Sequence, residues 1–421
     1  MELGRVHQAL KLFPRILSYR NWTSSFKRRM FVTTTVSQQQ LKPNRDSILK
    51  QEVLRFNPKT PVESAVTPPS SWFTSTEFHE LECETIFNKH WLFVGRRDAV
   101  QNPTEYFTGL IGNNPFIVLR DTNNELRAFF NVCRHHAMQV INDLEGKLDS
   151  EQLQCPYHGW TYALDGRLTK ATRLRGIQNF SARNFGLKPM GVKTWGPLVL
   201  VNPFSESEDC NFFDDIMPLK ESLDALGFSS GLRFVERKSY IMKCNWKVFV
   251  DNYLDGGYHV EIAHKDLGSA LNLKSYETNV HDWHSVQRVS GLDNEDRVSG
   301  TAIYAHIFPN FMINRYGPWL DNNTVLPLGH DKCQVIFDYF LEEKFVKGLG
   351  EDEIKKFIQE SFIASDKVQQ EDIFLCEGVQ RGLSSAAYDI GRYAPKVEHA
   401  DHAFHVRLAE IYRNHLNIRD A

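Results

Sequence analysis

Between Cys133 and Trp160 the chain reads CRHHAMQVINDLEGKLDSEQLQCPYHGW, which sets Cys133-x-His135 and Cys155-x-x-His158 on either side of a spacer. Each half offers one thiolate and one imidazole on a short loop. A two-iron, two-sulfur centre of the Rieske type needs that inventory, because two cysteines hold one iron and two histidines the other. Neutral imidazole in place of charged thiolate leaves such a cluster less negative, so it accepts electrons at a higher potential. A structural zinc site draws on the same residue types. Zinc modules, however, pair like with like, Cys-x-x-Cys and then His-x-His, whereas each loop here carries one of each. Pro156 and Gly159 supply the turn chemistry of a ligand loop.

With 421 residues, 24% of them charged and 42% hydrophobic, two domains are the natural expectation. No run approaches the roughly 18 to 20 apolar residues of a membrane span, which counts against the membrane-anchored Rieske electron carriers. Two of the seven cysteines belong to the cluster motif. Cys83, Cys210, Cys244, Cys333 and Cys376 have no framework spacing and read as free thiols in a reducing compartment. Residues 1–45 carry nine basic residues against one acid, Glu2, with hydroxyls in TSS and FVTTTVS. That is the composition of an organelle transit peptide, for a chloroplast or a mitochondrion, and composition alone does not choose between them. Its removal would take the formal charge from −3 to −11, so no nucleic acid is expected as a partner.

Residues 46–90 read as an N-terminal arm, Pro- and Ser-rich from Asn57 to Ser75, followed by a helix with Phe78, Leu81, Ile86 and Phe87 at helical spacing. Residues 91–202 turn to short strands (WLFVG, FIVLR, LRAFFNV, WGPLVLVN), a small all-β domain with the cluster motif at loop tips. An acidic connection, residues 203–232, leads to a second domain at residues 233–421. Its strands are RFVERKSYIMK, AIYAHIF, NFMINRY, NTVLPL and CQVIFDYFLE, and two helices close it, from about Glu351 to Leu383 and from about His399 to Leu416. The expected fold class is α+β.

The second chemical motif is DNYLDGGYHVEIAH, with His259 and His264. Two histidines and a carboxylate on one face of iron(II) leave positions open for oxygen and substrate. A spacing of five turns two rings about 140° apart on a regular helix, so this pair can share a metal only where the helix ends or bulges between them. His399, His402 and His405 also recur, every third residue on a charged helix, and read as structural.

On these residues, together with PYHGW, NWK at Asn245 to Lys247 and EDIFLCEGVQRGLSS from 371 to 385, the chain resembles the α subunits of Rieske-type non-haem iron oxygenases, and among them the plant enzymes that oxidise choline. The resemblance implies a Rieske domain joined to a helix-grip catalytic domain with an antiparallel sheet. It implies a cluster held by Cys133, His135, Cys155 and His158, and a mononuclear Fe(II) held by His259, His264 and Asp372. It also implies O2 and reduced ferredoxin as reactants, choline oxidation to betaine aldehyde hydrate in the chloroplast stroma on the way to glycine betaine, and a homotrimer or other homo-oligomer. Many relatives place a carboxylate three residues before the first iron-binding histidine, to link it to a neighbouring subunit's cluster; Gly256 stands there in this chain. Asp255, four before His259, is expected to serve instead, with Asp251 as the fallback. A quaternary ammonium needs aromatic faces, and Trp283, Tyr304, Phe308, Phe311, Tyr316 and Trp319 are candidates or ordinary sheet core. Arg167, Lys170, Arg173 and Arg175 form a basic stretch for an acidic donor, or a solvated loop. The alternatives are the same architecture acting on another quaternary amine or an aromatic substrate, and a non-catalytic electron carrier.

Overall fold

The structure, a computed structural model of the chain, describes residues 44–204, 212–291 and 300–419. The leader read over residues 1–45 lies outside the described residues except for Asn44 and Arg45, and Cys210 lies outside them too. Cys83, Cys244, Cys333 and Cys376 are buried free thiols. Among the described residues no helix is long and apolar enough to cross a membrane.

Ten short strands lie between Leu92 and Asn202: β1 (Leu92–Arg96), β2 (Glu105–Ile111), β3 (Asn114–Arg120), β4 (Leu126–Phe130), β5 (Glu145–Lys147), β6 (Gln152–Gln154), β7 (Thr161–Ala163), β8 (Leu168–Lys170), β9 (Pro189–Trp195) and β10 (Leu198–Asn202). They build an antiparallel sheet in the order β1-β10-β9-β4-β3-β2-β5 and a smaller one, β6-β7-β8. Side chains alternate across a strand, and β3 uses both faces. Phe116 and Val118 join the main core, while Ile117 and Leu119 pack with Phe129, Leu153, Trp160 and Tyr162 around Cys133 and Cys155.

The second sheet is antiparallel throughout: β11 (Leu232–Met242), β12 (Leu271–Val280), β13 (His284–Gly291), β14 (Thr301–Ile307), β15 (Phe311–Tyr316), β16 (Trp319–Gly329) and β17 (Lys332–Glu342), in the order β11-β17-β16-β15-β14-β13-β12. The expected strands are there, and β2, β5 to β9, β12 and β13 are additions to them. One face of this sheet, through Ile303, Ile307, Phe311, Ile313 and Leu320, packs on Trp91, Phe93, Leu198 and Leu200 of the first sheet region. The Phe93 and Phe311 rings stack at 3.7 Å.

The other face grips the helix Glu351–Leu383, whose Ile354, Phe357, Ile358 and Phe362 recur at helical spacing. Trp319 stacks on Phe357 and donates from Nε1 to Ser361 Oγ at 3.1 Å, and Tyr339 and Ser365 share a hydrogen bond of 2.8 Å. The helix His399–His415 buries Phe404, Leu408 and Tyr412 in the same core. The expected N-terminal helix is a short α-helix, Thr76–Glu82, continued by a π-helical turn, Cys83–Phe87. It delivers Glu82 into the core, where its carboxylate pairs with the Lys247 ammonium and accepts from Trp246 Nε1 at 2.7 Å and from the Tyr412 hydroxyl at 2.9 Å. One buried carboxylate thus ties together three segments distant in sequence.

Candidate functional site

The two cysteine–histidine loops close in the same way. Cys133 N–H donates to Met138 O and Ala137 N–H returns to Cys133 O; Cys155 N–H donates to Trp160 O and Gly159 N–H returns to Cys155 O, at 2.8 and 3.0 Å in each loop. The fifth residue of each is left-handed, Ala137 at φ 60° and Gly159 at φ 69°. The second loop is the tip of the β6–β7 hairpin, and the first follows β4. Both thiols are 2% exposed, and the Tyr162 hydroxyl lies 3.2 Å from Cys133 Sγ. The imidazoles lie outside them, His135 exposed and His158 half-buried, with ring centroids 4.6 Å apart. His135 stacks on Trp160 at 4.7 Å. Its pKa lies below the usual histidine range, through desolvation first and then the neighbouring His136 and His158 rings. Burial first, and then Cys133, holds the Cys155 thiol above the ordinary range. An inner pair of thiols and an outer pair of imidazoles is the donor set a Rieske cluster takes.

The helix Trp246–Leu254, capped by the Asn245 side chain accepting from Lys247 N–H at 3.0 Å, stops at Leu254 because two left-handed glycines follow. Gly256 has φ +69°, and a Cβ there would stand 2.5 Å from the Val397 carbonyl oxygen; Gly257 has φ +72°, and its Cβ would meet the Tyr276 ring at 2.6 Å. No carboxylate can stand at position 256. Asp255 turns back instead and accepts from the backbone N–H of Gly257 at 3.0 Å, Tyr258 at 3.2 Å and His259 at 3.1 Å, while its Oδ2 lies against His259 Nδ1. Asp251 faces elsewhere, toward His405 Nε2 at 3.1 Å, and His405 Nδ1 meets the Tyr393 hydroxyl at 2.8 Å.

A single helical turn, Val260–Ala263, separates His259 from His264, so the pair flanks the turn and does not ride on one long helix. The two Nε2 atoms stand 3.1 Å apart, and Asp372 Oδ1 is 3.1 Å from His264 Nε2 and 3.9 Å from His259 Nε2. All three ligand-type atoms lie within 4.8 Å of one another. Glu371, the preceding residue on the long helix, reaches His264 Nδ1 at 2.7 Å. Sequence reasoning missed Glu371; its signal is the adjacent carboxylates in QEDIF. Each ring therefore gives its Nδ1 to a carboxylate and turns Nε2 inward, the arrangement that fixes a metal-binding histidine. Burial opposes charging His264, but Asp372 and Glu371 outweigh it and hold its pKa above the usual range. Two histidines and one carboxylate make the facial donor set suited to non-haem iron.

Beside this triad is a cavity of about 170 Å³ between the second sheet and the helices. Its aromatic lining is Phe249, Tyr253, Tyr276, Tyr304, Tyr316 and Phe337. Burial pushes the phenols of Tyr253 and Tyr276 well above their ordinary range, so both stay neutral. Of the six aromatics singled out in the sequence, Tyr304 and Tyr316 line the cavity. Phe311 and Trp319 are sheet core as above, Phe308 packs on Phe404, and Trp283 lies under the Arg407 guanidinium.

A family model described as "Rieske [2Fe-2S] domain" matches residues 90–181, and one described as "Ring hydroxylating alpha subunit (catalytic domain)" matches residues 229–414. The class is thus that of Rieske-type oxygenase α subunits, iron-dependent oxidoreductases with a Rieske cluster and a mononuclear iron centre in one chain. The chloroplastic choline monooxygenase of Arabidopsis thaliana is 46% identical over 86% of this chain and 86% of its own length, and that of Spinacia oleracea is 39% identical over 86% and 82%. A quaternary ammonium Rieske monooxygenase solved with L-carnitine is 26% identical, with a TM-score of 0.70 over 85% of this chain and 97% of that one. The chain belongs to the choline monooxygenase family.

Proposed function

We propose that this chain oxidises choline to betaine aldehyde hydrate with O2 and electrons from reduced ferredoxin, as the first step towards glycine betaine in the chloroplast stroma. The charge of the cavity carries the choice of substrate. Among the described residues that line it the charged side chains outside the histidines are Asp255, Asp321 and Asp372, and there is no lysine or arginine. A zwitterion such as carnitine would bring a carboxylate into that surround with no lysine or arginine among the described lining residues to meet it, whereas choline brings only positive charge. Desolvating an unpaired carboxylate is costly, and a cation gains from the tyrosine ring faces.

In this reading Cys133, Cys155, His135 and His158 hold the cluster, and His259, His264 and Asp372 hold the mononuclear iron. When bound, the cluster passes single electrons and the iron activates dioxygen. Asp255 and Glu371 keep the Nδ1 protons of His259 and His264 in place. The tyrosines orient the ammonium and exclude water. Exposed Tyr157 beside His158, and exposed Tyr258 and Ile262 beside His259, give apolar surface next to each centre. Head-to-tail contact of identical chains would bury both, which supports a homotrimer with Asp255 between centres. Arg167, Lys170, Arg173 and Arg175 are all exposed, as docking of an acidic ferredoxin requires. The test is product analysis with reduced ferredoxin, O2 and a panel of choline, carnitine and aromatic substrates. Betaine aldehyde from choline is expected, and product from carnitine alone would overturn the assignment.

A further inference from the structure

Gln287 is 1% exposed in the middle of β13, a costly place for an amide unless both its ends are bonded. It pairs with Tyr304 of β14, which lines the cavity, and cross-strand partners share a face, so its side chain points to the cavity side of the sheet. There its Oε1 accepts from the Tyr276 hydroxyl at 2.6 Å, and its Nε2 donates to Tyr253 O at 2.9 Å. Both partners line the cavity, Tyr276 from β12 and Tyr253 from the helix that leads to Asp255, while Gln287 stands behind them. Tyr276 needs such a hold. β12 is an edge of the second sheet, and its register against β13 shifts between Asn272 and Glu277, so Tyr276 falls in an irregular stretch that the ladder does not fix. Its ring abuts Gly257, where a Cβ would stand 2.6 Å from it. The backbone therefore leaves the setting of the ring open, and the hydroxyl bond to Gln287 decides it.

A quaternary nitrogen has no N–H and forms no directed hydrogen bond, so what a tyrosine offers it is the ring, and the gain depends on where the ring is held. We propose that Gln287 is a positioning residue for the ammonium subsite: through the Tyr276 hydroxyl it fixes the ring that meets the quaternary nitrogen, and it touches no ligand itself. The proposal rests on the reading that the ligand is a quaternary ammonium.

The test is calorimetric binding to the oxidised holoenzyme of choline and of 3,3-dimethylbutan-1-ol, in which carbon replaces the nitrogen. It compares wild type with Gln287→Met, Tyr276→Phe and the double variant, with iron content and cluster absorbance checked. Tyr276→Phe keeps the ring and removes only the hydroxyl, and Gln287→Met keeps the length and removes the acceptor. Each single change should weaken choline binding by about 3- to 10-fold, the range of one cation–ring contact. The double change should add no more than about 2-fold to either, because both remove the same bond. The isostere should lose less, so the preference for choline narrows, and the turnover defect should fall on KM more than on kcat. Additive losses overturn the proposal, as do equal losses for the two ligands. So does unchanged choline affinity in Tyr276→Phe, a result that needs no Gln287 variant to fold. An enzyme that shows the non-additive loss but does not oxidise choline would overturn the substrate assignment and support the role of Gln287.

Discussion

The carboxylate of Asp255 lies against Nδ1 of His259 although the helix that leads toward them ends at Leu254. The contact is made by a capped turn through Gly256 and Gly257, with three backbone N–H groups fixing the carboxylate. Changing Asp255 to Asn keeps the shape and removes the charge; the cluster should be retained, and excess Fe(II) should keep the mononuclear site filled against weaker binding. Oxidation of the pre-reduced cluster on rapid mixing with choline and O2 should slow by about 10-fold or more, as for other groups that orient metal ligands. A wild-type rate would place the link between centres elsewhere.

Glu371 does for His264 what Asp255 does for His259. Glu371→Gln should weaken mononuclear iron binding by about 10- to 100-fold, seen as faster loss of that iron to a chelator. The cluster absorbance should not change.

The buried Glu82–Lys247 pair should matter for stability and not for chemistry. Burial lowers the Lys247 pKa and Glu82 opposes that shift, so Glu82→Gln leaves the ammonium without its counter-charge. The expected cost is about 3–5 kcal/mol, read as a fall in the thermal midpoint. The double change Glu82→Gln with Lys247→Met should recover part of it.

The fold should be sensitive to acid through histidines remote from the triad. Burial pushes His284 and His306 down to about 4, from an ordinary 6.5. His281, Asp282 and Asp215 face His284, and Pro309 O, the Phe404 ring and His284 itself face His306. Below pH 6.5 the unfolded chain takes up protons that the folded chain refuses until about pH 4, so stability is complete above that window and lost within it. Each histidine should cost about 2 kcal/mol near pH 5. The thermal midpoint should drop between pH 8 and pH 5, and the drop should shrink in His306→Gln. Equal drops would contradict the assignment.

What was legible in the sequence was local. Cys133, His135, Cys155 and His158 sit in loops of five or six residues whose spacing alone brings each thiol and ring to one tip, and the long helix with its periodic Ile354, Phe357, Ile358 and Phe362 runs from Glu351 to Leu383 as expected. His259 and His264 required a break in the helix, and the break is there, although DNYLDGGYH gives no count of how many turns it spans. The contacts that sequence spacing does not encode are those between distant strands and helices. Tyr253 and Tyr276 line the cavity without a sequence signal, because only the sheet register sets Asn314 and Asp321 beside Tyr253, and only the glycine turn sets Tyr276 against Gly257. Of the other four aromatics, Phe311 lies on the opposite face of the sheet, Trp319 lies on the cavity-side face but packs on Phe357 of the long helix, and Trp283 and Phe308 stand just outside the strands His284–Gly291 and Thr301–Ile307, placements that an aromatic residue's spacing does not encode.

The claim that this acidic, tyrosine-lined cavity serves choline is tested most directly by betaine aldehyde formed per O2 consumed, with reduced ferredoxin and choline or carnitine at equal concentration. The account predicts stoichiometric betaine aldehyde from choline and little product from carnitine. Oxygen consumption without betaine aldehyde, or equal turnover of carnitine, would contradict it.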